Sequence, residues 1–171
     1  MADQFNDTDR QLFSLAQIQH LMRVEFNRAQ RYDYPVACMM IAIDRLGHLR
    51  DLYGYEAKEE ILDAVVALLK SETRTSDFIG RMADDRLLAV IPHTGASGTE
   101  RLAERILSGA RAIEFTSEGR TIQVTLAIGA AHNTAGDTLF FDAMLQAAGE
   151  ALDAATTAGG DRYTCFSPEE I

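Results

Sequence analysis

The chain has 171 residues, 47% of them apolar, with 16 Lys and Arg against 26 Asp and Glu, giving a formal net charge of −10. That length suits one domain with a buried core, and the apolar fraction is too high for a disordered chain. The charge argues against nucleic acid and membrane surfaces as partners, because both need clustered cations facing phosphate. It leaves room for one small anion at a local arginine cluster.

The N-terminus has no basic stretch followed by an apolar one, so no export signal is read. The longest apolar run, Val36 to Ile43, is far shorter than the roughly 20 residues that span a bilayer. The expected setting is the cytoplasm, with Cys38 and Cys165 as buried, unpaired thiols. A helical pattern runs from about Asp9 to Arg31, with Leu12, Leu15, Leu21, Met22 and Phe26 near the helical period, and Pro35 stops it. Val36 to Ile43 is apolar without alternation, which predicts a strand covered on both faces. A helix over Glu56 to Glu72 presents Ile61, Leu62, Val65, Val66 and Leu69 on one face.

Asp77 to Met82 and Leu87 to Ile91 read as a hairpin around the polar turn Ala83-Asp84-Asp85-Arg86. Ser97 and Glu100 have capping-box spacing and are expected to open a helix carrying Leu102, Ile106, Leu107 and Ala110. A second hairpin turns at Glu118-Gly119 into one long strand, Thr121 to Ala131. A helix over Thr138 to Thr157 and a strand over Arg162 to Phe166 complete the order. The economical packing is a central, mainly antiparallel sheet flanked by helices, an α+β fold. His20, His48, His93 and His132 lack ligand spacing. Gly159-Gly160-Asp161 lacks the Lys-Ser/Thr of a phosphate loop and reads as a turn. Tyr53, Tyr55 and Met39-Met40 read as core or rim packing.

Several short motifs, none specific alone, fall in one order and spacing: Ile43-Asp44, Asp51-Leu-Tyr-Gly54-Tyr55, Arg74-Thr-Ser-Asp77 leading to Arg81, Ile91-Pro92-His93-Thr94, Ala103-Glu104-Arg105-Ile106 and Val124-Thr-Leu-Ala-Ile128-Gly129. Together they resemble a GGDEF domain, the diguanylate cyclase family, over about residues 12–166 of a single domain spanning 1–171. The resemblance implies a nucleotidyl-cyclase-like fold. It also implies synthesis of cyclic di-GMP from two GTP molecules held by two opposed domains, with carboxylates holding Mg²⁺ against the triphosphate.

Against that pattern the catalytic equipment is depleted. Ala42 stands where the first metal aspartate belongs, and Ala83-Asp84-Asp85-Arg86-Leu87 replaces the signature turn, with both glycines lost and only Asp85 keeping its carboxylate. Arg86 is expected to pair with Asp84 or Asp85. Arg50 and Glu59 replace the guanine-reading asparagine and its aspartate partner, and in Thr156-Thr-Ala-Gly159-Gly160-Asp161 the family's two phosphate-contacting cations are replaced by Thr156 and Gly160. A rescue by Asp44 as metal ligand requires a two-residue slip, about 6–7 Å along a strand.

The family's second, inhibitory site is an Arg-x-x-Asp, and here Arg74 to Asp77 stands at its position. Arg81 and Arg105 match its further arginines, and Arg101 lies one turn before Arg105. An arginine fork suits guanine O6 and N7 or a phosphate, and a carboxylate suits the guanine N1–H and N2–H₂ edge. Alternatively, Arg74 and Asp77 form an ordinary cap or surface pair. The expectation is a catalytically inactive domain that binds cyclic di-GMP through Arg74, Asp77, Arg81 and Arg105, without a metal. It would signal by contact with a protein partner, with a homodimer possible. The alternatives are a nucleotide-independent interaction or dimerisation scaffold, and a residual cyclase or GTP-binding domain.

Overall fold

The computed structural model describes residues 12–117, 119–133 and 141–166. Along them run α1 (Leu15–Tyr32), β1 (Val36–Ile43), α2 (Leu46–Tyr53), α3 (Tyr55–Glu72), β2 (Phe78–Arg81), β3 (Leu87–Pro92), α4 (Ala96–Arg111), β4 (Glu114–Ser117), β5 (Arg120–Gln123), β6 (Leu126–His132), α5 (Phe141–Thr157) and β7 (Arg162–Cys165). The main sheet has the order β2-β3-β1-β6-β7, antiparallel except for the parallel β6–β7 pair at one edge. β4 and β5 form a separate two-stranded hairpin.

The unbroken apolar run of β1 follows from its central place, with helices covering both faces of the sheet. Ala37, Met39, Ile41 and Ile43 pack with Ile61, Leu62 and Val65 of α3 and Ile106 of α4. Cys38 and Met40 pack with Ile18, Met22 and Phe26 of α1 and Met144 and Leu152 of α5. Gly129 lets α5 lie directly on the sheet, since a Cβ there would sit 2.1 Å from the Leu152 nitrogen and 2.3 Å from the Ala148 oxygen. Among the described residues no helix is long and apolar enough to cross a membrane. Cys38 is buried and Cys165 partly buried, and neither is in a disulfide.

Several boundaries differ from the sequence expectation. α1 starts at Leu15, because Ser14 and Gln17 form a capping box, with Ser14 Oγ accepting from the Gln17 N–H (3.2 Å) and Gln17 Oε1 from the Ser14 N–H (2.9 Å). The expected start at Asp9 lies outside the described residues. Phe13 instead extends the sheet edge, donating to the Ile79 carbonyl (3.1 Å) and accepting from the Arg81 N–H (2.9 Å). α2 is an additional short helix that closes at Gly54, whose φ of +96° glycine adopts without strain. The Ser97–Glu100 capping box is not formed. α4 begins at Ala96 behind Gly95, and the Thr99 hydroxyl donates to the Gly95 carbonyl at 2.7 Å.

The expected strand Thr121 to Ala131 is two strands in different sheets. Between them the Thr125 carbonyl accepts from the Asp44 N–H at 3.0 Å, which pulls the chain out of the hairpin and into the main sheet. Glu118 and the expected α5 start at Thr138 lie outside the described residues.

Candidate functional site

The β2–β3 turn, residues 83–86, stands where the resemblance expects the signature motif. Asp84 and Asp85 both take φ of +60°, and the Arg86 N–H donates to the Ala83 carbonyl at 3.3 Å. Two consecutive positive-φ residues make the tight mirror-image turn that a twisted hairpin favours. Aspartate tolerates that region better than most side chains, though less well than glycine. Asp84 and Asp85 thus form a tight turn in torsions that glycine would adopt more readily.

Asp85 is held from both sides. Lys58 Nζ lies 2.8 Å from its Oδ2, and Arg81 Nη2 donates to its Oδ1 at 2.8 Å. Burial pushes this carboxyl up, but the bonds and charges of Lys58 and Arg81 outweigh it and hold it below the ordinary value. Lys58 is only 8% exposed, and it sits on the inward face of α3 with Ile61, Leu62 and Val65. The sequence reading missed it. The available signal was a lysine three and four residues before Ile61 and Leu62, on the helix face already marked as buried.

The neighbouring groups are also committed. Arg86 pairs with Asp153 of α5 at 3.2 Å rather than with Asp84 or Asp85. Asp44 Oδ2 accepts from the Thr125 hydroxyl at 2.7 Å and from the Asp161 N–H at 2.8 Å. It thereby anchors the Gly159-Gly160 turn that leads into β7, so that segment is a structural turn. Arg50 pairs with its neighbour Asp51 at 3.3 Å. Ala42 offers no side-chain ligand, Asp44 is bonded to the fold, and Asp85 already pairs with two cations.

The second cluster forms where α3 passes into β2, against the end of β3 and the start of α4. The Arg74 N–H donates to Asp77 Oδ2 at 2.8 Å. Arg74 Nη2 donates to the Pro92 carbonyl at 2.8 Å and to Thr94 Oγ1 at 2.9 Å. The same Nη2 lies 3.7 Å from Asp77 Oδ1, too long for a hydrogen bond. The Asp77 side chain is 2% exposed, and its Oδ1 has no hydrogen-bond partner among the described residues. Burial raises this carboxyl above its ordinary value, against the opposing pull of Arg74.

A cavity of about 300 Å³ is lined by Arg74, Asp77, Arg101 and Arg105, with Glu72 and Thr94. The structure thus gathers Arg74, Asp77 and Arg105 but not Arg81. Four residues of extended chain separate Asp77 from Arg81, about 13 Å, and the far end of β2 delivers Arg81 to Asp85. Glu72 was not singled out from the sequence and Thr94 only as part of a family landmark, and the tertiary fold brings both to the cavity.

The family model described as "Diguanylate cyclase, GGDEF domain" matches residues 6–162. The chain is 29% identical over 144 residues to the diguanylate cyclase DosC of Escherichia coli K12, covering 83% of this chain and 31% of DosC. It thus spans about a third of the length of that relative. Two solved structures share the fold. One is the coiled coil and GGDEF domain of DgcB from Caulobacter crescentus in complex with c-di-GMP (TM-score 0.85, 16% identity, 95% of this chain and 86% of that one). The other is the diguanylate cyclase SiaD in complex with its activator SiaC from Pseudomonas aeruginosa (TM-score 0.82, 22% identity, 90% of this chain and 58% of that one).

Proposed function

The chain belongs to the GGDEF domain family, and from that premise we propose that it is a receptor for cyclic di-GMP that makes none itself. The observation that carries the reading is Asp77 Oδ1, buried without a donor among the described residues, beside the Arg74 guanidinium and in a cavity shared with Arg101 and Arg105. A buried acceptor left unpaired costs about 1–3 kcal/mol, so a ligand that brings N–H donors gains from meeting it. Guanine brings N1–H and N2–H₂ on one edge. The arginines suit its O6 and N7 or the phosphates. A site formed by Arg74, Asp77 and Arg105, with Arg101 added and Arg81 left at the turn, serves this chemistry.

In this conformation Arg74 closes over Asp77. Binding therefore asks its guanidinium to leave the Pro92 carbonyl and Thr94, exchanging those bonds for the ligand's. The GGDEF domain of DgcB, which shares this fold, has a structure in complex with c-di-GMP, which supports the ligand class.

Lack of synthesis rests on the other site. With Ala42 in place of the first metal aspartate and Asp85 paired to Lys58 and Arg81, the carboxylates that would hold Mg²⁺ against a triphosphate are depleted. Output then runs through a protein partner. The ligand shifts that contact only by its differential affinity for the bound and unbound states. The structure of SiaD in complex with its activator SiaC shows that a chain containing this fold can bind a protein.

Calorimetric titration tests the proposal. Cyclic di-GMP should bind with low-micromolar affinity, about −8 kcal/mol, and Asp77→Ala should abolish the heat while leaving the circular dichroism spectrum unchanged. GTP with Mg²⁺ should yield no cyclic di-GMP. Unchanged affinity in Asp77→Ala, or turnover of GTP, contradicts the proposal.

A further inference from the structure

We infer that Glu72 is a built-in competitor for the ligand's phosphate, and that its hold on Arg105 sets the affinity of the arginine cluster for an anionic dinucleotide. The inference rests on the ligand reading above and adds a residue that reading does not use.

Glu72 is the last residue of α3, two positions before Arg74. Its Oε2 accepts from Arg105 Nε at 3.1 Å, and its main-chain carbonyl from Arg105 Nη2 at 3.5 Å. A guanidinium grips a phosphate or the guanine O6/N7 pair through two parallel N–H groups on one edge. Here one residue takes up the Nε and Nη2 edge of Arg105 with two different oxygens. Glu72 also lines both cavities bordered by Arg101 and Arg105, the 300 Å³ one with Asp77 and an adjoining one of about 630 Å³ with Glu104 and Ser108.

Charge points the same way. Around the smaller cavity stand Arg74, Arg101 and Arg105 against Asp77 and Glu72, three positive groups and two negative, net +1. Without the Glu72 charge the lining is +2, which matches the two phosphodiester charges of a cyclic dinucleotide. The Arg105–Glu72 pair is exposed, 55% at the arginine and 29% at the glutamate. Such pairs are weak, so Glu72 yields to a phosphate instead of excluding it. The outcome is competition, with a weaker site than the arginines alone would make.

Calorimetric titration of the whole chain with cyclic di-GMP decides the matter. Glu72→Gln should bind about ten-fold more tightly than the wild type, from loss of the competing bond and of the repulsion between carboxylate and phosphate. Glu104→Gln, which neutralises another carboxylate of the same surface, should change affinity less than about two-fold. Placed on Arg105→Ala, which itself weakens binding, Glu72→Gln should add almost nothing. Wild-type binding that Glu72→Gln leaves within two-fold overturns the inference alone. So does an equal gain from Glu104→Gln, or a full gain on the Arg105→Ala background. Absence of binding in the wild type and in Glu72→Gln together overturns the ligand reading as well.

Discussion

Replacing Asp85 with alanine removes the shared partner of two cations at once. Arg81 is about a third exposed and can turn to water, but the Lys58 side chain is 10% exposed and has nowhere comparable to go. Breaking a fully buried pair from one side costs about 3–5 kcal/mol, and an exposed pair is worth about 0–1 kcal/mol. Asp85 itself is a quarter exposed, which places Asp85→Ala between those limits, at about 2–3 kcal/mol. Lys58→Met should cost about 1 kcal/mol or less, because methionine keeps the apolar stem, the buried ammonium disappears and Asp85 retains Arg81.

The chain has no tryptophan, so urea unfolding is best followed by far-ultraviolet circular dichroism. For a domain of this size each kcal/mol moves Tm by about 2–4 °C, so Asp85→Ala should lower it by about 5–10 °C. The pH dependence has a definite sign. The Asp85 carboxyl sits below its ordinary value of 3.8 in the fold. Its contribution is therefore present above that value and lost as pH falls through the lower, folded one. The gap between wild type and Asp85→Ala should be full at pH 7 and shrink below about pH 4. A gap under about 0.5 kcal/mol at pH 7, or equal losses in Asp85→Ala and Lys58→Met, refutes the account of the turn.

Three further outcomes follow from the packing. Gly129→Ala should lose about 3 kcal/mol or more, because its Cβ meets α5 backbone that no side-chain rotation can clear; a loss below about 1 kcal/mol would mean that α5 sits farther from the sheet. Asp84→Gly should stabilise by about 0.5 kcal/mol, since relief at φ +60° slightly exceeds the entropy glycine adds to the unfolded chain; a loss would show the turn unstrained. Burial pushes the Cys38 thiol up to about 12, so at pH 8 a thiol reagent should leave it unmodified in the native protein and modify it after denaturation. Peptide mass spectrometry showing Cys38 labelled in the native state would contradict this burial.

Where one physical signal dominates, the sequence was a good guide. β1 matched its expected limits because burial on both faces leaves a continuous apolar run, and α3 and β3 followed from their apolar faces to within a residue. The division between β5 and β6 was hidden because Ile122, Val124, Leu126 and Ile128 keep a period of two across it. Alternation reports faces, not sheet membership. α2 has eight residues and no side-chain cap among the described residues, too little periodic signal to register alone. Ser97 and Glu100 had the right spacing in the wrong frame, since Gly95 precedes the helix.

At the proposed site, the meeting of Arg74, Asp77 and Arg105 around one cavity followed from spacing together with the family resemblance. Arg81 was grouped with them by the family resemblance, but the extended strand β2 carries it away from Asp77 to pair with Asp85. Lys58 and Glu72 act through partners 27 and 33 residues away, Asp85 and Arg105. Local pattern marks Lys58 as lying on a buried helix face but carries no trace of either partner.

The central claim is tested most directly by following the backbone amide resonances of the isotopically labelled chain while cyclic di-GMP is added. Shifts concentrated at residues 72–77, at Thr94 and at residues 101–105, with the turn at residues 83–86 and residues 55–59 of α3 unmoved, are the result this account predicts. Shifts centred on the turn and the start of α3, or none at saturating ligand, would contradict it.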